Sequence, residues 1–242
     1  MFKLPEAELD RVPDMLQAQL AVIATTEDGG LVDATGVQLP GVLDDLFAHE
    51  GDLGPVYNGD TPSLNLWAPT AQNVKLLLYP DADPDTAPME MPMTRDMDTG
   101  VWSIEGQPDW DRMFYQYEVQ VYVPATGNIE TNVSTDPYTL SASADGVRSQ
   151  IVNLDDADLK PQGWDSLEKP SFENPEDIVI YEIHMRDFSV HDESVPEELK
   201  GKYKAFTLQD SVGMTHLSDL AQYGISHVHL LPLADCATIS EN

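Results

Sequence analysis

Between Leu64 and Val123, apolar and polar positions alternate in four short runs, LNLWA, NVKLLLY, GVWSIE and YQYEVQVYV, separated by breaks such as APTAQ and PDADPDTAP. A two-residue period bounded by proline, aspartate and glycine is the pattern of half-buried strands. In the last run Tyr115, Tyr117, Val119, Val121 and Val123 share one face, and Gln116, Glu118 and Gln120 take the other. These runs predict antiparallel strands, and a small β-sandwich is the fold that contains them.

Further along, the period changes. Ile178 to Met185 (IVIYEIHM) is an apolar run of strand length, and Met214 to Tyr223 puts Met214, Leu217, Leu220 and Ala221 on one helical face, with Gly224 as the stop. Ile225 to Leu231 (ISHVHLL) is a second strand ending at Pro232. A strand, helix, strand unit of this kind predicts two parallel strands. The connection from Asp187 to Val212 is too long for a plain turn and leaves the carboxyl end of the first strand, where α/β folds place their sites. Asn153 to Asp177 is rich in proline and acid with little periodicity and reads as a linker, with the boundary near Glu173. Residues 1–55 are less defined: Met15 to Ile23 fits a short helix or a strand, and Val42 to Phe47 (VLDDLF) fits one or two helical turns. The chain thus divides into an N-terminal stretch over 1–55 that does not form a domain alone, a sandwich over 56–150, a linker over 151–174 and an αβ segment over 175–242.

Charge narrows the choice of partner. The 242 residues hold 12 basic and 43 acidic side chains, a formal charge of −31, spread almost evenly along the chain. Such a surface cannot neutralise phosphates or gather on an anionic leaflet, which argues against nucleic-acid and peripheral membrane binding. The 41% apolar content still supplies a core. The acid excess reads as a solvated surface, or, with only seven lysines, as adaptation to a salty host. Cys236 is the sole cysteine, so no internal disulfide framework exists. The start, MFKLPEAELDRVPDMLQAQL, lacks the basic start and apolar run of a signal peptide, and no spanning segment is visible.

Several residues carry candidate chemistry. Alternation puts Glu182, His184 and Arg186 on one face of the Ile178 to Met185 strand, and His184, Arg186 and Asp187 stand at its carboxyl end, where they are candidates for substrate contact; the same face also fits a hydrogen-bonded structural network. His227 and His229 form an H-x-H pair to which His184 could add a third metal ligand, the pattern of a metal-dependent hydrolase, yet no further acid or histidine cluster completes that sphere. Trp67 and Trp102 lie inside strands and read as core, whereas Trp110 and Trp164 lie in loops and are candidates for stacking on sugar rings. Asn132-Val-Ser134 is a glycosylation sequon by letter only.

Taken in order, GVLDDLFA (Gly41 to Ala48), SLNLWAPTAQNVKLLLYP (Ser63 to Pro80), TGNIETNVSTDPYTLSAS (Thr126 to Ser143), DGVRSQIVNL (Asp145 to Leu154), IVIYEIHMRDFS (Ile178 to Ser189), GKYKAFT (Gly201 to Thr207) and GISHVHLLPL (Gly224 to Leu233) resemble pullulanase-type α-1,6-glucosidases, starch-debranching glycoside hydrolases of the α-amylase superfamily. The resemblance implies an accessory-domain end, an Ig-like β-sandwich similar to carbohydrate-binding module family 48, and then the first βαβ portion of a catalytic (β/α)8 TIM barrel, with Gly224 and Pro232 standing as the second-strand signature. It implies retaining hydrolysis of α-1,6 branches by two carboxylates on later strands, beyond Asn242, so that no catalytic residue is expected in this chain and the chain alone is expected to be inactive. The end, LADCATISEN, departs from the family's usual FDIATIPE at Ala234, Cys236 and Ser240. The implied partner is an α-glucan such as pullulan, starch or glycogen; no cofactor is required, and bound calcium stays open. The family also suggests a bacterial secreted, periplasmic or cell-surface enzyme. The competing reading is a standalone α-glucan-binding module without chemistry.

Overall fold

The computed structural model describes residues 4–233, so Ala234, Cys236 and Ser240 lie outside the described residues. The chain divides between Lys160 and Pro161 into two compact units.

The first unit opens with a 3-10 turn (Glu6–Arg11) and a short helix α1 (Val12–Met15), followed by strands β1 (Ala21–Thr25) and β2 (Leu31–Gly36), which pair as an antiparallel hairpin. Helix α2 (Pro40–Leu46) starts with proline at its first turn, where the missing N–H costs nothing. The hairpin answers the ambiguity at Met15 to Ile23 and adds a strand over Leu31–Gly36 that the pattern did not announce. Its physical reason is plain: Val22, Ile23, Leu31 and Val32 are all exposed, so neither face is buried and no alternation is imposed.

The sandwich follows with β3 (Gly54–Asn58), β4 (Thr61–Trp67), β5 (Ala71–Tyr79), β6 (Met89–Pro92), β7 (Thr94–Arg95), β8 (Val101–Glu105), β9 (Phe114–Val123), β10 (Asn128–Ser134) and β11 (Ser149–Gln150). One sheet runs β3-β4-β8-β7 and the other β10-β9-β5-β6, with β11 also on β9, and every pairing is antiparallel. All four alternating runs of the sequence are strands here. In the central pair of the second sheet Val74 faces Val119, Leu76 faces Tyr117 and Leu78 faces Tyr115. These side chains join Leu64, Leu66, Trp102 and Ile151 in one core. Each such large apolar side chain contributes about 1.5–3 kcal/mol on burial. The alternation of β9 is strict only where the opposite sheet covers it: Tyr115 and Tyr117 are fully buried, whereas Val121 and Val123 are half-exposed.

Between β10 and β11 the chain turns at Asp136, whose side chain is buried. Its carboxylate accepts hydrogen bonds from the hydroxyls of Tyr115 (2.7 Å) and Tyr117 (3.2 Å) and from the Tyr138 N–H (2.8 Å), while its own N–H donates to the Ser149 hydroxyl (3.0 Å). Burial raises the Asp136 carboxyl above the usual carboxylate range, against the lowering effect of these donors. Nearby, the buried Arg148 stacks 3.7 Å over the Tyr79 ring and donates to the carbonyls of Asp81 (3.0 Å) and Asp83 (2.8 Å), which fixes the acidic PDADPDTAP break.

The second unit contains β12 (Ile180–His184), α3 (Val212–Gln222) and β13 (His227–Leu231), and β12 and β13 pair in parallel, as the strand, helix, strand pattern predicts. Ser211 caps α3 by accepting from the Met214 N–H. At the other end Gly224 has φ +102°, its N–H donates to the Ala221 carbonyl, and the Ile225 N–H reaches back to Leu220, a paired closure that glycine makes inexpensive. Met214, Leu217 and Leu220, with Gly213, are the half-covered helix positions, but Ala221 is exposed. The division at Lys160 also falls earlier than the boundary read near Glu173. Ile151 and Val152 are buried in the first unit, and Arg112 pairs with Asp156 (2.5 Å) and Asp158 (3.1 Å), so the start of the apparent linker is tied to the sandwich.

Asp136→Ala leaves two tyrosine hydroxyls and one N–H without their acceptor. At about 1–3 kcal/mol for each buried group left unsatisfied, the expected loss is about 3 kcal/mol or more in urea denaturation; an unchanged midpoint would contradict the account. Because the Asp136 pKa is raised, the folded state takes up the proton first, and the contribution of this residue grows as pH falls through that raised value. The stability difference between wild type and Asp136→Asn therefore widens from neutral pH toward acid.

Candidate functional site

Strand β12 separates its faces as the alternation predicts. Tyr181 and Ile183 are half-covered and Met185 is buried, whereas Glu182, His184 and Arg186 are exposed. The Tyr181 ring meets His216 of α3 edge-on, with centroids 6.0 Å apart. On the polar face the Glu182 carboxylate lies 3.1 Å from His229 Nδ1, its neighbour in the parallel register. At the carboxyl end, the Asp187 N–H donates to His184 Nδ1 (3.3 Å), and the Asp187 carboxylate lies 3.7 Å from the same nitrogen. With Nδ1 used as an acceptor, the proton of the neutral ring belongs on Nε2.

His184 and Asp187 line an open pocket of about 700 Å³ together with His191, Asp192 and His216. Of the three candidates at this strand end, Arg186 is the one that does not line it. Its stem instead lies against Gly201, where a Cβ would come within 3.3 Å of Arg186 Cγ. The pocket wall is held by the start of α3. Asp192 accepts from the Ser194 hydroxyl (2.5 Å) and from the N–H groups of Ser194 (2.8 Å) and Gly213 (3.1 Å), while the Ser194 hydroxyl accepts from the Val212 N–H (2.9 Å). The Ser194 hydroxyl above all holds the Asp192 carboxyl below its ordinary range. Sequence reasoning located this loop but not His191, Asp192 or His216 within it, because only the fold of the loop back onto α3 brings them to the pocket.

The three histidines of the metal alternative are otherwise engaged: His184 with Asp187, His229 with Glu182, and His227 with the Ser226 hydroxyl at 2.9 Å and the Phe172 ring at 5.6 Å. Among the described residues no group of three or more His, Cys, Asp or Glu side chains is placed to share a metal ion.

The tryptophans separate sharply. Trp102 is core as expected, with its indole N–H donating to the Ala68 carbonyl (3.0 Å). Trp110, a loop candidate for sugar contact, proves to be core as well: it ends a 3-10 turn (Pro108–Trp110), is only 9% exposed, and packs over Gly106, where a Cβ would come within 2.5 Å of its ring. A short turn carried it inward, which no local pattern announces. Trp164 is 59% exposed on its own turn and remains open to a ligand. Trp67, expected in the core, is only half-buried.

Residues 52–139 match carbohydrate-binding module 48 (isoamylase N-terminal domain), and residues 1–45 match the pullulanase N2 domain. The chloroplastic pullulanase 1 of Arabidopsis thaliana is 47% identical over 233 residues, covering 96% of this chain and 24% of that protein. The pullulanase of Klebsiella pneumoniae is 41% identical, covering 99% of this chain and 22% of that protein. The chain thus spans about a quarter of the length of these relatives. Among solved structures, the maltotriose complex of PulA from Klebsiella pneumoniae superposes with a TM-score of 0.90 at 40% identity, covering 99% of this chain and 26% of that one. A Paenibacillus barengoltzii pullulanase, in complex with maltohexaose and α-cyclodextrin, gives 0.66 at 34% identity, covering 79% of this chain and 29% of that one. Among the described residues no helix is long and apolar enough to cross a membrane.

Asp192→Ala should loosen the start of α3 by about 1 kcal/mol, the usual worth of a capping group. Since its folded pKa is depressed, the stabilisation is present above the unfolded value and disappears as pH falls through the folded one. Hydrogen exchange over Val212–Gln222 is expected to be faster in the variant at neutral pH and to converge with wild type in acid. Equal rates at neutral pH would count against this role.

Proposed function

The chain is a pullulanase homologue over nearly its whole length, carrying a pullulanase N2 domain and a carbohydrate-binding module 48, and on that premise we propose that it serves α-glucan debranching. Its sandwich binds the glucan, and its second unit begins the catalytic barrel of an α-1,6-glucan hydrolase. The single observation that carries this reading is identity of 47% and 41% that runs through both units. The barrel assignment is supported by the parallel β12–β13 pair joined through α3, by Gly224 and Pro232 at the expected spacing, and by a two-stranded sheet whose outer edges are unpaired among the described residues. On this reading residues 1–55 are the end of an accessory domain, and the Trp164, His184, Arg186 and Asp187 side chains are the candidates for contact with substrate.

Debranching by retention requires a nucleophilic carboxylate and a proton-donating carboxylic acid about 5 Å apart across the scissile bond. Glu182 pairs with His229, and the Asp187 carboxylate lies 3.7 Å from His184 Nδ1, so each of these acids faces an imidazole. On this reading neither acid belongs to the reacting pair, and the role of this chain is to bind and position the glucan.

A reducing-end assay of the purified chain on pullulan tests this reading, run beside Glu182→Gln and Asp187→Asn. The expected result is no release above the blank, together with retention of the chain on an immobilised α-glucan. Activity that is well above the blank and lost in both variants would place the catalytic centre at β12 and overturn the proposal.

A further inference from the structure

Two concavities on the first unit flank Leu53, which lines both. One, of about 320 Å³, is lined by Trp67, Tyr138, Asp44, His49 and Glu50; the other, of about 390 Å³, by Tyr57, Asn153 and Asp155. We propose that this groove of two concavities flanking Leu53, with Trp67 and Tyr138 as stacking platforms in one and Tyr57 in the other, is the α-glucan site of the sandwich. The proposal rests on the reading that this chain binds α-glucan and specifies where.

Three features suit the groove to a sugar chain. First, its aromatic rings are already fixed. The Trp67 indole N–H donates to the Phe47 carbonyl (2.9 Å), so the ring is oriented and half-open with no polar atom left unpaired. The Tyr138 backbone is anchored through its N–H to the buried Asp136 and lies so close to Gly54 (φ +78°) that a Cβ there would come within 2.9 Å of its carbonyl, and its side chain packs against the edge of the core. In the other concavity the Tyr57 hydroxyl donates to Asp111 at 2.6 Å. Rings held in advance lose little freedom when a sugar stacks on them. Second, Asp44, His49 and Glu50 are exposed around the tryptophan, and carboxylates are strong acceptors for sugar hydroxyls. Third, a neutral ligand suits the charge: on a chain of net charge −31 an uncharged polyol meets no repulsion, whereas an anionic ligand would.

Titration of the full chain with maltoheptaose, followed by calorimetry, tests the assignment. Tyr138→Ala and Trp67→Phe are each expected to weaken binding about fivefold to tenfold, with Tyr223→Ala, at an exposed residue of the second unit, unchanged. Near-UV circular dichroism identifies any variant that has lost its fold, and Glu50→Ala, a substitution on the exposed loop, is expected to weaken binding with no effect on the core. Wild-type binding that persists in all groove variants but is lost in Trp164→Ala would overturn the groove while leaving glucan binding intact. A wild-type chain that does not bind maltoheptaose would overturn the glucan-binding reading and the groove with it.

Discussion

One buried carboxylate sets the geometry on which much of the first unit depends. Asp136 sits where β9 changes partners, after β10 and before β11, and gathers the Tyr115 and Tyr117 hydroxyls, the Tyr138 N–H and the Ser149 hydroxyl. An unpaired carboxylate in this position would cost several kcal/mol, so the network is stable only when complete. Its completion ties the deepest layer of the core to a half-buried residue packed at its edge. The two tyrosines belong to the core pair β5–β9, while Tyr138 stands beside Gly54 at the rim of the groove. Core packing and the proposed sugar platform thus share a single anchor.

The acid excess raises a second physical question, namely how so negative a chain orders its loops. The few arginines are used where they count. Arg148 holds the PDADPDTAP break through backbone carbonyls and the Tyr79 ring, and Arg112 gathers Asp111, Asp156 and Asp158. Lysines act likewise, Lys75 on Glu90 and Glu118 and Lys200 on Glu197, and the acid excess that remains suits the proposed neutral polysaccharide partner and argues against nucleic acid.

What could be read from the sequence was whatever burial writes into it. The strands β4, β5, β8 and β9 alternate because an opposite sheet covers one face, and β12, α3 and β13 follow because Met185 and the Met214, Leu217 and Leu220 stripe are partly covered. The β1–β2 hairpin was hidden for the converse reason: with Val22, Ile23, Leu31 and Val32 exposed, no period forms. Trp110 and Trp67 exchanged the roles suggested by their local settings, since a 3-10 turn buries the first and a strand end opens beside the second. The pocket residues His191 and His216, and the groove residue Tyr138, meet their neighbours only through tertiary contacts, for which single-sequence spacing offers no signal.

The central claim is that Asp136 couples the sandwich core to the position of Tyr138. Residue-resolved hydrogen exchange measures it directly. Although the Tyr138 amide belongs to no strand, it donates to a buried carboxylate, so it is predicted to exchange as slowly as the amides of β5 and β9. Exchange of the Tyr138 amide at the rate of an exposed turn such as Thr126–Gly127 would contradict the account.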